Sequence, residues 1–321
     1  MFLSIILCTI YFILLDELII SSSQRRTGPY NIGCYGILSS IINGCNLVLC
    51  QYVILKVQFN YGFQYFPCLF MIATLVNYNI IYPFFYIDVT MSLLLLFLFT
   101  SLSVLFIILS AFSGSSKYCM LGCIRLITQL ISYELIWTTI LLIIVSSYDC
   151  SSVINYVFYL CIFNVIIFSS VVIFCCSFFL YFIICFIMLV SILAECNRTP
   201  FDLPEAESEL VAGFITEYSS IYFSIILLTE YANIIVFISF SITVFCIVSI
   251  SFICYLLLIC LIRTSFCRLK YDELMITAWV ILLPFIFILF LLLLIALILL
   301  ILYYLLTVNI IPYILLLSNT L

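Results

Sequence analysis

The chain has 321 residues, of which 68% are hydrophobic and 7% are charged, and its mean hydropathy is +1.46. A water-soluble fold of this size cannot bury so many apolar side chains, so the composition excludes the soluble class and indicates a protein of the lipid bilayer. The net charge of −5 comes from few and unevenly placed charges. Without a stripe of Lys and Arg, nucleic-acid binding has no electrostatic basis.

The sequence holds no recognisable cofactor motif. Its 17 cysteines are scattered without a C-x-x-C pair, and it has no histidine to complete a zinc or haem site. We interpret the cysteines as small buried hydrophobic residues and expect this chain to bind no metal and no cofactor. The glycine-rich motifs that bind nucleotides are missing as well, so any NADH, ATP or flavin would bind to another polypeptide.

Apolar runs long enough to cross the hydrocarbon core, about 20 residues, follow one another along the chain. The first run has neither a basic start nor a cleavage site, so we interpret it as a retained span and not a signal peptide. The run 219–262 is long enough for two spans, whereas 153–194 is long enough to cross once or twice. A single crossing there gives eight spans, roughly at 1–20, 67–87, 91–112, 121–146, 168–194, 219–239, 242–262 and 282–306.

The basic residues favour the eight-span arrangement. It places the inner loops 21–66, 195–218 and 263–281 on one side of the membrane, together with the short turn 113–120. That side then carries eight of the nine bases, Arg25, Arg26, Lys56, Lys117, Arg198, Arg263, Arg268 and Lys270. By the positive-inside rule we expect these loops inside and the N-terminus outside. The predicted fold is an all-α membrane protein, one transmembrane domain over 1–321, with an amphipathic surface helix within 37–56.

Ionisable side chains inside spans are costly to bury and are therefore functional candidates. Arg125, Gln129 and Tyr133 share one face of the fourth span, whereas Glu134 points to nearly the opposite face. A span that is polar on two sides should be buried among other helices. Glu230 falls near the middle of the sixth span, where we predict a pathway for protons or substrate.

Residues 195–217, ECNRTPFDLPEAESELVAGFITE, concentrate carboxylates. With Glu230 they hold half of the 14 acids of the chain, Glu195, Asp202, Glu205, Glu207, Glu209, Glu217 and Glu230. The spacing of Asp202 and Glu205 is typical of a helix N-cap with a capping box, which explains two acids as parts of a surface helix. Crowded carboxylates in a low dielectric raise one another's pKa and share protons. We therefore predict that the cluster relays protons.

The stretch AECNRTPFDLPEAESELVAGFITEY, with TEYANII downstream, resembles the signature loop of the subunit 1 family of NADH:ubiquinone oxidoreductase, respiratory complex I. The bacterial counterpart is the H subunit. Three further stretches agree with that family in order and spacing, namely QRRTGPYNIGCYG, SGSSKYCMLGCIRLITQLISYE and IRTSFCRLKYDELM.

The resemblance implies an eight-helix subunit at the junction with the peripheral arm, without catalytic residues or a redox centre of its own. Ubiquinone would be the substrate, while NADH, FMN and iron–sulfur clusters would bind to partner subunits. The implied proton path comprises Glu134, Glu195, Asp202, Glu205, Glu207, Glu209, Glu217 and Glu230. The implied quinone tunnel and docking residues are Asp16, Gln24, Arg26, Gly28, Pro29, Arg125, Arg198, Phe201, Arg263, Arg268 and Asp272.

The implied location is the mitochondrial inner membrane, with the polar loops on the matrix side and the N-terminus on the intermembrane-space side. The implied partners are other membrane-arm subunits, the quinone-proximal peripheral-arm subunits, ubiquinone and lipid. The sequence departs from the family where Asp16, Glu17 and Leu18 replace the usual Glu-Arg-Lys. An alternative function is that of a stand-alone proton-coupled membrane transporter, which would also need buried carboxylates and a basic inner face.

Overall fold

A computed structural model of the chain describes residues 2–30, 32–33, 36–49, 61–81, 92–148, 171–204, 212–245, 252–292, 294–295 and 298. These parts form helices α1 (Phe2–Ser23), α2 (Ile37–Leu49), α3 (Tyr61–Ile81), α4 (Ser92–Phe112), α5 (Lys117–Tyr148), α6 (Val171–Glu195), α7 (Ser220–Phe245), α8 (Phe252–Ser265) and α9 (Tyr271–Leu292). A single 3-10 turn, Gly213–Ile215, lies before α7.

Six of the described helices, α1, α3, α4, α5, α7 and α9, are long and apolar enough to cross a membrane. The all-α membrane class is therefore confirmed. The count of eight spans stays a prediction, because parts of 168–194, 242–262 and 282–306 lie outside the described residues. The predicted amphipathic helix within 37–56 corresponds to α2, which ends at Leu49 in the described residues.

Several helices begin earlier than the predicted spans. The third helix starts at Tyr61 instead of 67, and α9 starts at Tyr271 instead of 282, so residues assigned to the loop 263–281 are helical. A search for apolar runs misses these starts because Gln64 in α3 and Asp272 and Glu273 in α9 interrupt the apolar pattern. In α9, Asp272 and Glu273 occupy the first turn, where negative charge is favourable to the helix dipole.

The predicted boundary between the sixth and seventh spans, after 239, was wrong. The helix α7 continues through that point to Phe245. The hydroxyl of Ser239 donates to the carbonyl oxygen of Val236 and that of Ser241 donates to Ile238, each at 2.7 Å. Because serine bonded back to its own helix is compatible with helical backbone, these residues do not mark a turn.

The helix α7 occupies the centre of the described bundle. It packs against α1, α2, α3, α6 and α8, while α5 packs against α4, α6, α9 and the 3-10 turn. Of the apolar stretch of α7, 67% is buried, against 22% for α9. Trp137 on α5 meets Phe237 and Phe240 on α7 edge to face, with ring centroids 4.9 Å and 5.4 Å apart. The two helices that bear Glu134 and Glu230 therefore lie in the interior.

Candidate functional site

A small cavity lies where α3, α4, α5, α6 and α7 meet, and the centre of a water molecule can occupy about 20 Å³ of it. Its polar lining residues are Glu195, Glu230, Asn197, Asn233 and Ser103, and the rest of its wall is Phe70, Val104, Ile107, Leu130, Cys196 and Phe237. A cavity of this volume holds a water molecule when two or more polar groups face it. The arrangement therefore suits a water molecule between two carboxyl groups.

Glu195 reaches the cavity because α6 ends there with a sharp reversal of the chain. Asn197 has a left-handed backbone, with φ of 50°. The amide of Asn197 donates to Ala194 O at 3.3 Å and the amide of Arg198 donates to Leu193 O at 3.2 Å. This pair of bonds is the Schellman ending of a helix, and asparagine tolerates its left-handed position better than most residues. The reversal puts Glu195, Asn197 and Arg198 within one turn of chain.

Gln129 on α5 holds this reversal in place. Its side-chain NH₂ lies 2.9 Å from Ala194 O, 3.2 Å from Asn197 Oδ1 and 2.7 Å from Phe201 O, and the residue is fully buried. An NH₂ group has two hydrogens, so the three acceptors share them. The predicted buried polar face of α5 is thus present at Gln129. Its partner is the start of the segment 195–217, which we call the acidic loop.

Arg198 forms an ion pair with Glu230 inside the bundle. Its Nη2 lies 3.5 Å from Glu230 Oε2, and the two side chains are 9% and 3% exposed. The guanidinium also lies 4.1 Å from the centroid of the Tyr231 ring, within the range of a cation–π contact. A buried carboxylate is stable as an ion only when it is paired, so Arg198 stabilises negative charge on Glu230. Sequence resemblance assigned Arg198 to the quinone tunnel, whereas its guanidinium lies against Glu230.

The carboxyl groups of three helices are brought near one another. Glu134 is half-buried on α5 and lies close enough to Glu195 for their carboxyl groups to interact electrostatically. The buried Oε1 of Glu195 accepts no hydrogen bond from the described residues. A cavity water would satisfy that oxygen and link it toward Glu230.

A second ion pair ties the start of the acidic loop to α1 and α8. Arg263 Nη1 on α8 pairs with Asp16 Oδ2 on α1, and Thr199 Oγ1 donates to Arg263 O at 3.3 Å. Beyond α8, Arg268 Nη2 lies 3.4 Å from Leu203 O. Arg263 and Arg268 therefore both contact the beginning of the acidic loop, and Asp16 is connected to it through Arg263.

The remaining proton-path, tunnel and docking residues are distributed more widely. Arg125 and Asp202 are half-buried, Asp272 is exposed, and Phe201 is buried with its ring 5.5 Å from that of Tyr133. The turn after α1 exposes Gln24 and Arg26 and half-buries Gly28 and Pro29. Glu205, Glu207 and Glu209 lie outside the described residues.

Glu217 is placed away from the cavity walls. Its carboxylate accepts hydrogen bonds from the backbone amides of Ser115 and Ser116, just before α5 begins. Sequence reasoning grouped Glu217 with the other acids because nothing in the spacing of the loop reveals a partner so far away along the chain.

Cys196 was interpreted only as a small hydrophobic residue, and it lies in the cavity wall. Burial, and then the neighbouring Glu195 carboxylate, raises the pKa of the Cys196 thiol well above its usual range. The thiol is therefore neutral and forms part of the low-dielectric wall. Ser103 and Asn197 were also missed, although an asparagine directly after a predicted helix end is a known signal for such a reversal.

A sequence model of the family described as NADH dehydrogenase matches residues 1–296. The chain is 33% identical over 293 residues to NADH-ubiquinone oxidoreductase chain 1 of Hyaloraphidium curvatum, covering 88% of this chain and 92% of the relative. It is 32% identical over 306 residues to the protein of that name from Chondrus crispus, covering 88% and 90%. With the Arabidopsis thaliana protein of that name it shares 33% identity over 310 residues, again covering 88% and 90%.

Proposed function

The chain belongs to the NADH dehydrogenase family, with chain 1 of NADH-ubiquinone oxidoreductase among its relatives, and from this premise we propose how it serves that enzyme. It is a multi-pass subunit that forms part of the quinone-access tunnel and of an acidic proton path beside the peripheral arm. Ubiquinone is the substrate of the assembly, and NADH, FMN and iron–sulfur clusters bind to partner subunits. The membrane is the mitochondrial inner membrane, with the polar loops on the matrix side.

The observation that carries this proposal is the cavity shared by Glu195 and Glu230, with Arg198 beside it. A proton that moves from Glu195 to Glu230 through a cavity water crosses from the end of α6 to the middle of α7. Carboxyl groups joined by a water molecule exchange protons readily, because each can both donate and accept. Glu134 on α5 extends the path to a third helix.

Arg198 couples this transfer to a change in the surrounding chain. When Glu230 is ionised, the guanidinium is held by the pair at 3.5 Å. When a proton reaches Glu230, this attraction is lost, while the contact of the cation with the Tyr231 ring remains. Because Arg198 lies in the reversal after α6, its release loosens the first residues of the acidic loop. Protonation in the bilayer is thereby linked to the segment that faces the peripheral arm.

Charge changes at the quinone would reach the path through the loop after α8. The hydrogen bonds from Thr199 to Arg263 O and from Arg268 to Leu203 O connect the end of α8 and the loop after it to the start of the acidic loop. Exposed polar residues there, such as Asp272, supply a docking surface for peripheral-arm subunits. Family membership argues against the stand-alone transporter, since a subunit of this enzyme co-purifies with flavin and iron–sulfur absorbance.

The test is neutralisation of Glu230 in the intact assembly. We expect Glu230→Gln to lower NADH:quinone activity and proton pumping at least about tenfold, the scale of lost proton-transfer catalysis, while NADH oxidation by an artificial acceptor continues. Glu273→Gln removes a carboxylate from the exposed first turn of α9 and serves as the matched control. Normal pumping by an assembled Glu230→Gln enzyme would exclude this path.

A further inference from the structure

The carboxylate of Glu217 is used as a helix cap. Oε1 and Oε2 lie 3.1 Å and 2.9 Å from the amide nitrogen of Ser115, and Oε1 also accepts from the amide of Ser116. We propose that Glu217 is a positioning residue that fastens the end of the acidic loop to the start of α5, and that it is not a member of the proton path. This inference rests on the proposed path, because it decides which acids belong to it.

The beginning of α5 needs such a partner. The first amides of a helix have no acceptor within the helix. Ser116 Oγ accepts from the amide of Cys119 at 3.2 Å, so Ser116 is the N-cap by its own side chain. The amides of Ser115 and Ser116 donate to the carboxylate of Glu217, which lies at the far end of the acidic loop. A negative charge at this point is also favourable to the helix dipole.

Tyr218, the next residue, makes a second attachment. Its hydroxyl donates to Ser110 O at 2.9 Å and lies 3.1 Å from Ser113 Oγ. The ring stacks on Phe63 of α3, with centroids 4.0 Å apart and planes at 4°. Burial raises the pKa of the Tyr218 hydroxyl, which therefore stays a neutral donor. Two adjacent side chains thus fix the same end of the loop to the segment between α4 and α5.

The backbone of the loop makes a third attachment one turn further along α5. A Cβ on Gly122 would lie 2.8 Å from the backbone nitrogen of Phe214 and 2.9 Å from the carbonyl carbon of Gly213. Only glycine lets the 3-10 turn approach α5 so closely. Cys119 Sγ also donates to Phe214 O at 3.3 Å. With Gln129 on the first part of the loop, α5 holds both ends of the acidic loop.

A relay acid and a capping acid have opposite requirements. A relay acid must gain and lose a proton with little change in its other bonds. A proton on Glu217 would remove the charge that its amide donors and the helix dipole favour, so each transfer would loosen the start of α5. The geometry therefore suits a carboxylate that stays ionised while neighbouring acids, held in place by the loop, exchange protons.

The test compares Glu217→Gln with Glu217→Ala in the assembled enzyme. Glutamine keeps Oε1, the oxygen that both amides share, but it does not carry a proton in a relay. Because glutamine keeps the acceptor oxygen, we expect Glu217→Gln to loosen the start of α5 only slightly and to keep quinone-linked pumping within about twofold of the unmodified enzyme, with an unchanged pH profile. We expect Glu217→Ala to yield less assembled enzyme and amide hydrogen exchange at residues 115–116 at least about tenfold faster.

Loss of pumping in an assembled Glu217→Gln enzyme overturns the inference, and so does failure of the glutamine variant to assemble. Failure of the alanine variant alone supports it, because the acceptor oxygen then decides the outcome. Glu230→Gln measured in parallel separates the two proposals. If both glutamine variants pump normally, the proposed path is wrong while the capping role of Glu217 stands.

Discussion

Replacing Arg198 by methionine tests the buried ion pair most directly, because methionine keeps an unbranched apolar side chain at this position and removes the charge. Two unit charges 3.5 Å apart attract by about 5 kcal/mol at an effective dielectric constant of about 20. The cation–π contact with Tyr231 adds about 1 kcal/mol. Desolvation of both ions offsets part of this, and breaking a buried pair from one side typically costs about 3–5 kcal/mol.

The assay is the rate at which the assembled enzyme, in lipid, loses quinone reductase activity at raised temperature. A loss of about 3 kcal/mol corresponds to inactivation faster by roughly two powers of ten if the pair is broken in the transition state for unfolding. Lys117→Met, which removes a charge from an exposed position at the start of α5, is the control and should leave the rate nearly unchanged.

The double variant Arg198→Met with Glu230→Gln completes the cycle. The neutral glutamine no longer needs a cation beside it. The stability lost in the double variant, calculated from its inactivation rate, should therefore be smaller than the sum of the two single losses by about 1–3 kcal/mol. Strict additivity, or an Arg198→Met enzyme as durable as the Lys117→Met control, would refute the pairing.

Three further outcomes follow from the contacts around α5 and the cavity. Gly122→Ala should prevent assembly, because its Cβ would lie under 3.0 Å from backbone atoms. The Cβ of Gly44→Ala meets nothing within 4 Å, so this control should stabilise α2 by about 0.5–1 kcal/mol and assemble normally. Blue native gels measure the amount of assembled enzyme for both variants. Gln129→Leu should cost about 1–3 kcal/mol, because Phe201 O loses the donor that Gln129 supplies, and it should speed thermal inactivation. An unchanged rate would contradict the role of Gln129 in holding the reversal after α6. With its pKa raised by burial, Cys196 should resist maleimide near neutral pH and label only after unfolding in detergent. Labelling of Cys196 itself in the native enzyme, read by peptide mass spectrometry, would contradict its burial.

The sequence predicted the parts of the fold that depend on local chemistry. Apolar runs located α1, α4 and α5, and the polar face of α5 at Gln129 and Tyr133 is buried as expected. Helix ends were less accurate, because serines at 239 and 241 satisfy themselves within α7 instead of ending it. An apolar window detects the hydrocarbon-crossing part of a helix and not its polar turns.

The candidate site was predicted in its residue types and not in its pairings. Candidate carboxylates at the half-buried Glu195 and the buried Glu230 followed from the cost of charge in an apolar chain. The partner of Glu230 did not, because Arg198 reaches it across 32 positions of sequence, through a helix reversal that has no periodic signal. The cap at Glu217 was missed for the same reason, since its donors lie 101 and 102 positions away.

That separation also orders the events of biosynthesis. The start of α5, at residue 117, leaves the ribosome and enters the membrane well before Glu217, which caps it, has been synthesised. The amides of Ser115 and Ser116 therefore cannot donate to Glu217 until α6 has been inserted and the acidic loop has been synthesised after it. Closing a contact over so many residues is slow compared with forming a helix. Capture of Glu217 and Tyr218 by the start of α5 is thus a late step of folding, and it completes the surface that faces the aqueous side only after the helices beneath it are in place.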